Sequence, residues 1–132
     1  MNAAPPGAAL VVEGLTFRYR ERPQPAIQDI HFQVEAGELL LIAGASGSGK
    51  TTLIRCINGL IPRSYKGEMQ GQILLQGQDL SGASLARISQ IVGTVLQDPE
   101  RQILGTRVRN EEAFWLENLG LARWEVLQLI DE

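Results

Sequence analysis

The chain has 132 residues, enough for one domain or for part of a larger one. Its 12 basic residues against 15 acidic ones leave a formal net charge of -3, which argues against a protein built to hold nucleic acid. One cysteine, Cys56, excludes an internal disulfide framework and a multi-cysteine metal site, and one histidine, His31, removes most histidine-based catalysis.

Residues 1–7 have no basic start and no apolar core of a secretory signal, so they read as a disordered N-terminus, which Pro5-Pro6-Gly7 supports. Ala8 to Val12 is a short apolar run with strand character. Leu15, Phe17 and Tyr19 alternate with Thr16, Arg18 and Arg20, which predicts a half-buried strand. Ile30, Phe32 and Val34 alternate again and predict another, closed by a turn at residues 35–38. Leu39-Leu40-Leu41-Ile42-Ala43 is apolar without alternation, as expected for a strand buried on both faces of a parallel sheet. It is also the longest aliphatic stretch, far short of the roughly 18 residues a membrane-spanning helix needs. Together with the lone cysteine, that sets a reducing, intracellular compartment as the default expectation.

Glycine-rich sequence follows at once, and then a helix over Lys50 to Asn58. Its apolar residues Leu53, Ile54, Ile57 and Leu60 have helical spacing, and Gly59 stands as the stop. Residues 61–71 read as a loop. Ile73 and Leu75 mark a strand ending at Gly77, and Leu80 to Gln90 a short helix with Asp79 or Ser81 as N-cap. Ile91 to Leu96 reads as a strand and Gln97 to Gly105 as a polar loop. Arg107 to Leu119 predicts a helix ending at Gly120, and another starts near Arg123. Its apolar pattern is still running at Glu132, so the sequence is expected to be a piece of a longer frame.

One motif carries chemistry. Gly44-Ala45-Ser46-Gly47-Ser48-Gly49-Lys50-Thr51-Thr52 fits the pattern G-x-x-x-x-G-K-[ST], set between an apolar run and a helix. At average residue usage the bare pattern arises by chance in roughly one chain in two hundred of this length. A triphosphate needs many N–H donors converging on closely spaced oxygens. Glycine lets the backbone wrap round them without Cβ clashes, and a helix N-terminus adds its positive dipole end. Lys50 offers a mobile charge to the outer phosphates, and the Thr51 hydroxyl can ligate Mg²⁺. The motif says nucleoside triphosphate and leaves the enzyme class open: a transport ATPase, a phosphate-loop kinase, or a non-catalytic fragment that binds an ATPase or transporter partner.

Two further segments add to the loop. Leu15-Thr16-Phe17-Arg18-Tyr19 precedes it, and Ile91-Val92-Gly93-Thr94-Val95-Leu96-Gln97-Asp98-Pro99-Glu100 follows, continued by Gln102 to Val108 and Ala113 to Leu121. Taken together, these residues make the chain resemble the N-terminal half of an ATP-binding cassette (ABC) transporter ATPase subunit. Within that family they are similar to the energy-coupling-factor type, which powers uptake of vitamins and metal ions. The resemblance implies an α/β fold: an incomplete P-loop NTPase core with N-terminal antiparallel β strands and the start of the helical subdomain, over residues 8–132. It implies ATP and Mg²⁺ as ligands. Gly44, Ser46, Gly47, Ser48, Gly49, Lys50, Thr51 and Thr52 would hold the phosphates, and Tyr19 would stack on adenine, worth roughly 1–3 kcal/mol. Gln97 would reach the Mg²⁺ or the attacking water, which makes Lys50 and Gln97 the catalytic candidates and Thr51 and Gln97 the metal candidates. The plain alternative for Tyr19 is a strand residue packing on its neighbour, and for Gln97 an ordinary loop amide.

The resemblance also implies a second ABC ATPase subunit as partner and a transmembrane transporter subunit, with no nucleic acid. It places the protein in the cytoplasm, peripheral on the inner face of the cell membrane. Departures from the family pattern matter as well. Trp115 stands where the family often has glycine after the Ala-Phe pair. The Walker B strand with its aspartate and catalytic glutamate, the LSGGQ-like signature and the switch histidine do not occur within these residues. Leu80-Ser81-Gly82-Ala83-Ser84 echoes the signature but precedes Gln97, and reads as a turn and helix cap. His31 precedes the phosphate loop and is not the switch histidine. Turnover of ATP by these residues alone is therefore not expected. Cys56 reads as a small buried residue, and Arg18, Arg20 and Arg22 as a solvated face.

Overall fold

In the computed structural model the described residues are 7–95, 97, 98, 100, 103 and 106–130. Six of the seven residues of the expected disordered start (1–6) lie outside them. So do Leu96, Pro99, Gln102, Leu104 and Gly105 of the segments quoted above. The chain divides into two compact units, residues 1–93 and 94–132.

In the first unit, the two apolar segments expected as separate strands form one, β1 (Ala8–Tyr19). Gly14, at φ 59, lies where the register shifts against both neighbours, a bulge that turns the strand without ending it. Its N–H donates to His31 Nδ1 at 3.2 Å, so the His31 ring proton sits on Nε2 and faces Asp29 Oδ1 at 2.8 Å. β2 (Ile27–Glu35) and β3 (Gly67–Leu75) flank β1, and β4 (Gln78–Asp79) closes the order β2-β1-β3-β4, with every pair antiparallel. β3 starts well before Ile73, inside the segment 61–71 that reads as a loop. Pairing along the whole of β1 overrides the weak strand propensity of Gly67, Gln70 and Gly71.

Period-two alternation puts Leu15, Phe17, Ile73 and Leu75 on one face of this sheet, where they are buried. That face packs on α1 (Lys50–Ile57) through Leu53 and Cys56. Ile61 of the short helix α2 (Leu60–Arg63) joins the same core. Leu80–Gly82 is a 3₁₀ turn whose first free N–H, Ser81, donates to the Asp79 carboxylate. α3 (Leu85–Ser89) is capped by Ser84, so the expected single helix is two short ones with one cap each. Arg63 ties these pieces together. Its guanidinium donates to the carbonyls of Gly59 and Leu80, at 3.1 and 3.2 Å, and to that of Ala83.

Two expected strands do not form. Residues 39–43 carry no strand, and Leu39 and Leu41 are 95% and 85% exposed rather than buried on both faces. The sheet of the described residues is wholly antiparallel, and none of its strands runs beside this segment. Residues 91–95 are not a strand either. The N–H groups of Ile91 and Val92 turn back to the Ile88 carbonyl, and both side chains lie half-buried against the main core.

In the second unit α4 (Val108–Asn118) packs on α5 (Arg123–Ile130). Gly120, at φ 84, ends the first helix as expected, with its N–H donating to the Glu117 carbonyl. The Ala122 N–H donates to Glu125 Oε2 at 2.7 Å and starts the second. Trp115 is more than half exposed and meets Phe114 edge to face. No helix among the described residues is long and apolar enough to cross a membrane.

Candidate nucleotide-binding site

The glycine-rich loop runs from Gly44 into the first turn of α1. Gly47 and Gly49 both adopt positive φ, 82 and 92, a region that costs an L-residue steric strain. Gly49 has a second reason to be glycine. A Cβ there would lie 2.6 Å from the Ala26 carbonyl oxygen and 2.7 Å from Ile27 Cγ2, so the loop is seated directly on the start of β2. A Cβ on Gly44 would lie 2.8 Å from Ser48 Oγ, which curls back over it. Ser46 is exposed at the turn.

Lys50 folds into the loop that precedes it. Its Nζ donates to the carbonyls of Gly44 and Ala45, each at 2.7 Å, and to Ser48 Oγ at 3.2 Å. An ammonium has three protons, so all of its donors are engaged. The helix does not use its own first donors. The earliest N–H to reach a loop carbonyl is Leu53, bonded to Gly49 at 2.9 Å, and α1 has no side-chain N-cap. The N–H groups of Lys50, Thr51 and Thr52 therefore have no hydrogen-bond partner among the described residues. Three N–H groups without a described partner, a helix dipole and the Lys50 ammonium beside them are the elements an anion-binding site uses. The Thr51 hydroxyl is exposed beside it and could ligate a metal, whereas the Thr52 side chain is buried.

Tyr19, the adenine-stacking candidate, is half-buried. Its ring packs edge to face on Phe17 with centroids 4.8 Å apart, and its hydroxyl lies 3.1 Å from Thr52 Oγ1. This bond joins residues 33 apart in the chain and has no signature in the sequence. The seat that Ala26 and Ile27 make for Gly49 is equally invisible there, because it uses a backbone carbonyl. Gln97, the remaining candidate, lies exposed in the other unit, as does Asp98. No cluster of three or more metal-ligating side chains occurs among the described residues. Cys56, inside α1, is buried, and desolvation pushes its thiol up to about 12, which keeps it protonated and inert. A separate surface cleft of about 410 Å³ is lined by Arg18, Arg20, Lys66, Gly67 and Glu68. Arg18 alternates with Phe17 and Tyr19, so it points away from the core, and it pairs with Glu68 at 2.7 Å.

Comparison with known proteins decides the family. The model of the family described as ABC transporter matches residues 27–130. The chain belongs to the ABC transporter family. It is 44% identical over 120 residues to a protein of Bacillus thuringiensis subsp. konkukian that carries the name of an ABC transporter ATP-binding protein. That match covers 91% of this chain and 21% of the relative. A similarly named protein of Lactiplantibacillus plantarum is 48% identical over 106 residues, covering 80% of this chain and 19% of the relative. The chain therefore spans about a fifth of the length of these relatives. Among solved structures it is similar to CbiO1 of Clostridium perfringens, part of the ABC transporter complex CbiONQ. The TM-score is 0.76 at 27% identity, covering 95% of this chain and 48% of that one. The fold is thus that part of an ABC cassette that holds the antiparallel sheet, the phosphate loop and the first helices.

Proposed function

We propose that these residues are the nucleotide-gripping part of an ATP-binding subunit of an ABC transporter. The observation that carries this is the loop at 44–52, with three unpaired helix N–H groups and Lys50 folded over it. A triphosphate fits that donor set. The N–H groups of Lys50, Thr51 and Thr52 would bind phosphate oxygens. Lys50 would exchange its bonds to the Gly44 and Ala45 carbonyls, where only the donor is charged, for bonds to anionic oxygens, where both partners are. Mg²⁺, when bound, would spread the charge of the outer phosphates, and the Thr51 hydroxyl is its candidate ligand. Tyr19 is the candidate to meet the base.

Hydrolysis needs groups that these residues do not contain, so the proposed activity of the 132-residue chain is binding without turnover. In the whole subunit, two such ATPases would close on ATP and open after hydrolysis, driving a transmembrane partner from the cytoplasmic side. The likeness to CbiO1, part of the ABC transporter complex CbiONQ, supports a multi-subunit transporter. The segments after the phosphate loop are what favour an uptake system of the energy-coupling-factor type, carrying a vitamin or a metal ion. Isothermal titration of the chain with Mg-ATP tests the core of this reading. Wild type is expected to give a saturable heat, and Lys50→Ala to weaken binding roughly 10- to 100-fold through the lost charge-assisted bonds. Absence of heat with wild type, or Lys50-dependent release of phosphate at many turnovers per minute, refutes it.

A further inference from the structure

Tyr19 and Thr52 hold each other. The Thr52 side chain is 7% exposed, and the Tyr19 hydroxyl 3.1 Å away is the partner that satisfies its Oγ1. The Tyr19 ring is in turn fixed by the edge-to-face contact with Phe17, which is fully buried. A threonine in a helix commonly turns its hydroxyl back to the carbonyl three or four residues earlier, which loosens the turn. Here Tyr19 draws that hydroxyl away, and the Gly49 carbonyl keeps its bond from the Leu53 N–H at 2.9 Å. The sheet core is thereby clamped to the first turn of α1, the turn that carries the unpaired donors.

We propose that Tyr19 is a positioning residue of the polyphosphate site, acting through Thr52 to fix the first turn of α1 in its anion-binding geometry. This rests on the nucleotide reading given above and adds to it a role that does not depend on the base. Stacking uses the face of the ring; positioning uses its hydroxyl, so the two roles separate at a single oxygen atom. Phenylalanine at this position keeps the ring and removes the clamp.

Titrations of the 132-residue chain with Mg-ATP, and with magnesium tripolyphosphate as a probe lacking base and sugar, read this directly. They are run well below the lowest melting temperature of the variants compared, so that every sample is folded. Tyr19→Phe and Thr52→Val are each expected to weaken both ligands by a similar factor, roughly three- to tenfold for one lost hydrogen bond. The double variant is expected to lose no more than either single one, because both remove the same bond. Thr52→Ser, which restores the hydroxyl, is expected to recover the loss seen with valine. Wild-type affinity of Tyr19→Phe for tripolyphosphate, or losses that multiply in the double variant, overturns the positioning role and leaves the phosphate site standing. A wild-type chain that takes up neither ligand overturns the phosphate site itself and the positioning role with it.

Discussion

Gly49→Ala and Gly47→Ala form a matched pair that tests how the phosphate loop is seated. Both glycines have positive φ, at 92 and 82. Alanine in that region costs about 1–2 kcal/mol, offset by the about 0.4–1 kcal/mol gained from a stiffer unfolded chain. At Gly47 nothing lies within 4 Å of the added methyl, so a net loss of about 1 kcal/mol is the whole expected effect. At Gly49 the methyl would stand 2.6 Å from the Ala26 carbonyl oxygen, closer than the 3.0 Å that real Cβ atoms respect. The obstacle is backbone at the start of β2, which cannot swing aside as a side chain can. Overpacking of this kind adds about 1–3 kcal/mol, bringing the Gly49→Ala loss to about 2–4 kcal/mol. Urea unfolding followed by circular dichroism measures both, provided the slope is unchanged between variants. Equal midpoints for the two variants would refute the seating of Gly49 on β2, because strain alone would then explain both.

Two further outcomes concern the core. Cys56 is expected to resist alkylation in the folded chain and to react at once in denaturant, since its thiol is held up near 12 by desolvation. Its folded value lies above its unfolded one, so the unfolded state loses the proton first as pH rises. The associated stability is intact below pH 9 and falls between 9 and 12, by at most about 1.4 kcal/mol per pH unit, which melting curves in that window would show. Arg63→Met keeps the aliphatic bulk but strips donors from the carbonyls of Gly59, Leu80 and Ala83. A loss of about 1.5–3 kcal/mol is expected, with part of it restored by Arg63→Lys; a melting temperature equal to wild type would show that water replaces the guanidinium without cost.

The parts of the fold that were legible in the sequence are those decided locally. Alternation marks β1 and β2 because one face of each meets the core. The glycines of the phosphate loop declare their backbone geometry, and the spacing of Leu53, Ile54, Ile57 and Leu60 declares α1, although Ile54 proves to be exposed. What escaped depends on partners remote in the chain. An unbroken apolar run such as Leu39 to Ala43 signals burial only where neighbouring strands exist, and the sheet described here offers none. Ile91 and Val92 do meet the core, yet their N–H groups close the end of α3 instead of a ladder. Gly67 opens β3 despite poor propensity because a larger residue would not fit there. A Cβ would strike the Arg18 carbonyl oxygen, and the Phe17 ring at 2.5 Å. In the candidate site the residue types were legible and the cross-links were not: nothing in the chain's order announces that Tyr19 reaches Thr52.

The loop's two arms are tethered unequally. The outgoing arm is pinned at Gly49 and continues into a helix, whereas the incoming residues 39–43 make no hydrogen bond to any described residue. If an anion that closes on the loop also stills the incoming arm, each residue so fixed costs about 1 kcal/mol or more of entropy. Any β-element that zippered alongside residues 39–43 would relieve that penalty and sharpen phosphate affinity without touching the ligand. By reciprocity, a loaded loop would hold such an element more tightly than an empty one.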